Sequence, residues 1–295
     1  MFEGFKSELI DVGDDVRIFA RFKGSGPPLL LLHGYPQTHV CWHKIAAPLA
    51  ERFTVVATDL RGYGASSKPV DVPSHLNYSK RSMARDQILT MSALGFERFH
   101  LAGHDRGGRV AHRLTLDHSE RVLRLAVLDI APTATMYANS SRDFAEAYYH
   151  WFFLIQPFDL PERLIDAEAE FYLRRTLSSW CKHEGAITDE AMAAYIAAFT
   201  VPGAVHAACE DYRAAATIDL EHDRSDDLAS HRIVVPMLAL WGSRGTVGRQ
   251  FDVLACWREK SRGHLQGEAL DCGHFLPEEA PQATLAAFLQ FFAAD

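Results

Sequence analysis

No C-x-x-C pair occurs among the five cysteines (Cys41, Cys181, Cys209, Cys256, Cys272), and an odd, scattered set does not build a disulfide framework. Reduced thiols are the expectation, and with them a cytoplasmic location. Long apolar runs are equally scarce: none approaches the roughly 20 residues of a membrane span, so no membrane association is expected. Met1-Phe2-Glu3-Gly4 does not resemble the charged-then-apolar opening of a signal peptide. Excess positive charge is missing too. With 30 Lys+Arg against 38 Asp+Glu the net charge is −8, which argues against nucleic acid as a partner and opposes any anionic substrate unless local arginines attract it. Repeats and low-complexity tracts are absent. What is there is an ordinary globular composition, 48% hydrophobic and 23% charged, on a chain of 295 residues that is long enough for a large core and one or two domains.

Read in order, residues 5–12 and 15–22 alternate around Gly13-Asp14 and predict a hairpin. Leu29-Leu30-Leu31-Leu32 is a solid apolar run that suits a strand buried on both faces, and it ends in His33-Gly34-Tyr35-Pro36. A helix over Trp42–Arg52, a strand over Phe53–Ala57 and a helix over Ser82–Leu94 follow. Further strands are expected at Phe99–Ala102, Leu123–Asp129, Ile233–Trp241 and Gly267–Asp271, with a closing amphipathic helix from Pro281 to Ala293. Helices alternating with apolar strands predict an α/β protein, a mostly parallel central sheet covered on both faces. The rhythm breaks after Pro132. A helical insertion is expected over residues 138–222, between core segments 1–137 and 223–295, lying over the catalytic face.

The most informative stretch is Leu101-Ala102-Gly103-His104-Asp105-Arg106-Gly107-Gly108-Arg109. An apolar strand runs into Gly-x-Asp-x-Gly and then into a helix-compatible segment, the context of a nucleophile elbow. A Cβ at Gly103 or Gly107 would clash where backbone packs on backbone. The apex residue is a carboxylate rather than serine. A carboxylate displaces a leaving group from saturated carbon and leaves an alkyl ester on the protein, whereas serine suits attack on a carbonyl. The plainer reading is an aspartate that caps the following helix.

Asp105, Asp129 and His274 follow in the nucleophile–acid–histidine order of α/β-hydrolases. Within that fold, His33-Gly34-Tyr35-Pro36, Asp59-Leu60-Arg61-Gly62-Tyr63-Gly64-Ala65-Ser66 and the Gly103–Arg109 motif look like the haloalkane dehalogenase and epoxide hydrolase branch. Asp105-Arg106-x-x-Arg109 together with His150-Trp151 resembles the fluoroacetate dehalogenases in particular. The resemblance covers nearly the whole chain.

It implies hydrolysis of a haloacetate, fluoroacetate to glycolate and fluoride, through an ester on Asp105 that a water activated by His274 then hydrolyses. Asp129 would orient the histidine, since the segment after Trp241 reads Gly242-Ser243-Arg244-Gly245 and carries no carboxylate. The backbone N–H groups of Tyr35 and Arg106 would form the oxyanion hole. Arg106 and Arg109, three apart on one helix face, would grip the substrate carboxylate, unless either merely pairs with a core carboxylate. His150, Trp151 and Tyr212 would bind the leaving halide, although alone they read as helix packing.

The same Asp–His–Asp set would serve an epoxide hydrolase, with two acidic tyrosines drawn from Tyr148, Tyr149, Tyr172, Tyr195 and Tyr212. A catalytically silent receptor is a third reading. Cys272 stands two residues before His274, but no turn presents it as a nucleophile. His39 and His43 have a ligand-like spacing without a third partner, so no metal site is expected, and no cofactor. The partner is a small haloacid, and the resemblance implies a homodimer.

Overall fold

The computed structural model describes residues 1–293. The alternating N-terminal segments pair as an antiparallel hairpin, β1 (Lys6–Asp11) with β2 (Arg17–Lys23). β2 adds antiparallel to β4 (Thr54–Thr58), which flanks β3 (Pro28–Leu32). From β3 onward the sheet is parallel: β5 (Phe99–His104), β6 (Val122–Leu128), β7 (Met237–Gly242) and β8 (Leu265–Leu270) follow in turn. The spatial order is β1-β2-β4-β3-β5-β6-β7-β8.

The leucine run of β3 shows why the middle strands are solidly apolar. Leu29 and Leu31 pack on one face with Trp42, Phe288 and Phe292, and Leu30 and Leu32 pack on the other with Val110 and Leu114. Each such buried leucine is worth about 2 kcal/mol in area removed from water. With both faces covered, the C-terminal ends of β3, β5, β6 and β8 open onto a common edge, where the loops that follow them meet.

Between β6 and β7 the described chain forms eight helices, from Thr133–Ala138 to Ile218–Leu228. This helical run is wider than the 138–222 expected from sequence, and residue 222 falls inside a helix. The Ile218–Leu228 helix buries only Asp219, so its charged sequence carries no apolar stripe to mark it. Two other expectations shrink. Trp42–Arg52 becomes a 3-10 turn, His39–Trp42, and a four-residue helix, Ala46–Leu49. The strand expected from Ile233 starts only at Met237, because Pro236 has no N–H for the ladder; Ile233 makes an isolated bridge to Ser261.

Tight packing of the Arg106–Asp117 helix against β3 depends on Gly107. A Cβ there would lie 2.3 Å from the His33 carbonyl oxygen and 2.4 Å from that of Leu32. Gly107→Ala should destabilise the fold by about 1–3 kcal/mol, the range for overpacking. A melting temperature equal to that of the wild type would contradict this packing.

Candidate active site

Asp105 stands between β5 and the Arg106–Asp117 helix with φ +48° and ψ −116°, a conformation that non-glycine residues rarely adopt and that costs about 1–3 kcal/mol. Its neighbours hold it there. The Asp105 N–H extends the ladder to the Leu128 carbonyl (3.2 Å), and its own carbonyl accepts from the Arg109 N–H (3.2 Å). Oδ1 accepts from the Tyr35 N–H at 2.8 Å. Gly34 makes this approach possible, since a Cβ there would sit 2.3 Å from Asp105 Cβ. The helix-cap alternative fails: the Asp105 side chain makes no cap hydrogen bond.

His274 follows β8 and reaches both acids. Its Nδ1–H donates to Asp129 Oδ2 (2.6 Å), while the Gly242 N–H donates to Asp129 Oδ1 (2.9 Å). In the neutral ring this pairing leaves Nε2 as the lone-pair nitrogen. It stands 3.8 Å from Asp105 Oδ2, too far for a hydrogen bond, and has no other partner among the described residues. The imidazole backbone is pinned by the Trp180 carbonyl, which accepts from His274 N–H (3.2 Å), and by His104, whose Nε2–H donates to the His274 carbonyl (2.7 Å).

Charge sets the protonation states. Burial pushes the Asp105 carboxyl up, but His274, Arg106 and Arg109 together bring it below the usual aspartate value. Burial pushes His274 down, yet the hydrogen bond and charge of Asp129 and the charge of Asp105 raise it above the usual imidazole value. His104 and His150 are pushed down by burial to about 3 and stay neutral.

Arg106 and Arg109 both point into this buried region, with different partners. Arg106 grips Asp211 bidentately, Nε to Oδ2 (2.9 Å) and Nη2 to Oδ1 (2.8 Å), which leaves Nη1 without a partner among the described residues. One of the two arginines therefore has its core carboxylate, and a single nitrogen of Arg106 stays free for anything else. Among the described residues Arg109 has only neutral acceptors, with Nη1 donating to the Ala131 carbonyl (3.1 Å) and Thr133 Oγ1 (2.8 Å) and Nε unpartnered. The two guanidinium groups lie over Tyr212 (4.1 Å to the ring centre) and Trp151 (4.7 Å).

His150 and Trp151 sit on the helix Tyr149–Phe153, and Tyr212 on Ala204–Ala216. All three are buried. His150 stacks 6.2 Å from Tyr35 and lies 5.6 Å from Tyr212. His150 Nδ1 and Tyr212 Oη have no hydrogen-bond partner among the described residues. Orphaned buried donors beside an arginine cluster are costly unless something small and negative accepts from them.

Several residues of the site escaped the sequence. Asp211 is held far below the ordinary carboxylate range despite burial, by Arg106 and by Lys80, whose Nζ also contacts it. Trp180, which lies 4.5 Å from His150 and 5.4 Å from His274, closes the site from the insertion side. The one available signal was a charged pair, Glu210-Asp211, inside the Ala-rich Ala204–Ala216 helix. His39 and His43 turn to separate partners, Asp59 Oδ1 (2.8 Å) and the Val40 carbonyl (2.9 Å), and share no ligand geometry.

A family profile described as alpha/beta hydrolase fold matches residues 27–281. The chain is 45% identical to a fluoroacetate dehalogenase of Burkholderia sp over 100% of its own length and 96% of that protein. It is 34% identical to a soluble epoxide hydrolase of Corynebacterium sp. (strain C12), covering 92% and 91%. A solved chain from Nostoc sp PCC 7120 superposes with TM-score 0.97 at 57% identity, each covered in full. Together with the eight-stranded sheet and the Asp–His–Asp arrangement, these matches place the chain in the α/β hydrolase fold family.

Proposed function

We propose that this hydrolase cleaves the carbon–halogen bond of haloacetates, with fluoroacetate converted to glycolate and fluoride. The observation that carries the proposal is the grouping of a buried, ionised Asp105 with unpartnered donors of two kinds. Arg106 Nη1 and Arg109 Nε await a carboxylate, and His150 Nδ1 and Tyr212 Oη await a halide. The 45% identity to a fluoroacetate dehalogenase supports the same substrate class.

Oδ1 of Asp105 is committed to the Tyr35 N–H, so Oδ2 is the attacking oxygen. It displaces halide from the α-carbon, in line, while the arginines hold the substrate carboxylate and fix the angle of approach. His150, neutral at working pH, Tyr212 and Trp151 donate to the departing halide, which has lost its water shell. Esterification removes the negative charge that helped raise His274. The imidazole then accepts a proton from water at Nε2, and the hydroxide formed attacks Asp105 Cγ. The Tyr35 N–H stabilises the oxygen charge that develops and Asp129 stabilises the imidazolium; the bond from Cγ to the glycolate oxygen then breaks, the imidazolium returns its proton to that oxygen, and the regenerated Asp105 carboxyl releases its proton to solvent. The free cysteines suit a reducing, cytoplasmic setting.

A neutral epoxide would meet the same nucleophile, and the similarity to an epoxide hydrolase keeps that chemistry in view. It gives the two guanidinium groups nothing to bind. Tyr195 is also occupied, donating to Glu278 Oε1 (3.1 Å).

Fluoride release from fluoroacetate, measured beside diol formation from an epoxide panel, tests the assignment; diol without halide release would reverse it. His274→Asn incubated with fluoroacetate should accumulate a mass adduct on the Asp105 peptide, and an unmodified peptide under conditions where the wild type turns over would rule the ester out. The raised His274 value depends partly on the Asp105 charge. Asp105→Asn should therefore shift the imidazole titration, followed by NMR, to lower pH than in the wild type; an unmoved titration would contradict this coupling. Asp211→Asn leaves Arg106 buried without its counter-charge and Lys80 with Asp219 alone (3.5 Å), a loss of about 3–5 kcal/mol. Its melting temperature should fall and its KM for fluoroacetate rise. An unchanged melting curve and KM would show that Asp211 does not position Arg106.

A further inference from the structure

Away from the catalytic groups, the seam between the sheet domain and the insertion carries a second cluster of ligand-type side chains. His206 and Glu210 stand four residues apart on the Ala204–Ala216 helix and so face the same way. Asp71, from the loop before the 3-10 turn Leu76–Tyr78, meets them from the sheet domain. One ligand atom from each of the three lies within 4.8 Å of the others.

His206 stands between two carboxylates, an arrangement that a metal-binding histidine can use. Nδ1 faces Glu162 Oε1 at 3.1 Å, and Nε2 faces Asp71 Oδ1 at 3.2 Å. With Nδ1–H donating to Glu162, the neutral ring turns its Nε2 lone pair toward Asp71, a contact that either a proton on Nε2 or a metal ion held by both atoms relieves. A carboxylate on the far imidazole nitrogen is also the usual outer support of a metal-bound histidine. Two ligands on one tetrahedral zinc, each bonded at about 2.0–2.1 Å, lie roughly 3.3 Å apart, close to the separation found here.

Glu210 is prepared in the same way. It is buried, its Oε2 meets His75 Nδ1 at 2.6 Å, and its Oε1 accepts from Arg213 Nη1 at 2.9 Å. Arg213 also binds Glu162 (2.6 Å) and the Gln156 carbonyl. Arg213 thus serves two carboxylates, Glu162 and Glu210, while Asp71 is met by His206, and three acids beside one guanidinium stay negative unless a cation or imidazole protons balance them.

We propose that Asp71, His206 and Glu210 bind a divalent metal ion of the imidazole- and carboxylate-seeking class, with zinc as the probe. Glu162 and His75 act as outer supports, and water completes the coordination. Binding replaces the His206 Nε2 proton, when present, and releases it to solvent. Because Asp71 belongs to the sheet domain and the other two ligands to the insertion, the ion ties the two together without touching the reacting atoms.

Equilibrium dialysis of the full chain against zinc chloride, with metal quantified by mass spectrometry, tests this directly. The wild type should hold one more zinc per chain than His206→Asn or Asp71→Asn, and Glu162→Gln should weaken binding roughly 10-fold. Zinc should also raise the melting temperature of the wild type and leave that of Asp71→Asn, an exposed and structurally mild change, where it was. Equal zinc content in the wild type and both ligand variants, or an equal thermal shift, would overturn the site.

Discussion

Everything in the catalytic region follows from keeping a carboxylate ionised where water cannot solvate it. Asp105 is buried, and burial alone would protonate it. The remedy is local positive charge: an imidazole 3.8 Å from Oδ2, and two guanidinium groups on the first turn of the next helix. Those cations are themselves buried and need partners, which draws in Asp129 for His274 and Asp211 for Arg106. The result is an alternating pattern of charge in which removing one member leaves its neighbour exposed to the full cost of desolvation.

The parallel sheet makes that pattern possible. Asp105, Asp129 and His274 are separated by up to 169 positions in the chain, yet each follows a strand that ends at the same edge. Both acids adopt φ of +48° directly after their strands, so their side chains turn away from the ladder and toward the shared space. The insertion then supplies what the strands cannot: aromatic walls from Trp151, Trp180 and Tyr212, and donors that no described residue satisfies.

Much of this was legible in the sequence because it rests on short-range signals. Gly103-x-Asp105-x-Gly107 names the turn, the solid β3 leucines name a doubly covered strand, and the position of His274 after the last strand names its face. What was hidden depends on contacts between distant segments. Asp211 reads as one more charge on a helix until Arg106, 105 positions away, is placed against it. The extent of the insertion was obscured for a different reason. Its last helix is polar almost throughout, so periodicity has nothing to register.

The Asp211 bridge reaches beyond the orientation of Arg106. Asp211 belongs to the insertion, while Arg106 and Lys80 belong to the sheet domain, so one buried carboxylate fastens the roof to the floor directly beside the reaction centre. A roof secured there resists opening on that side. Any opening of the roof then has to begin away from that fastening, beside the buried Trp151 and Tyr212, so molecular girth would act as a filter separate from chemical reactivity.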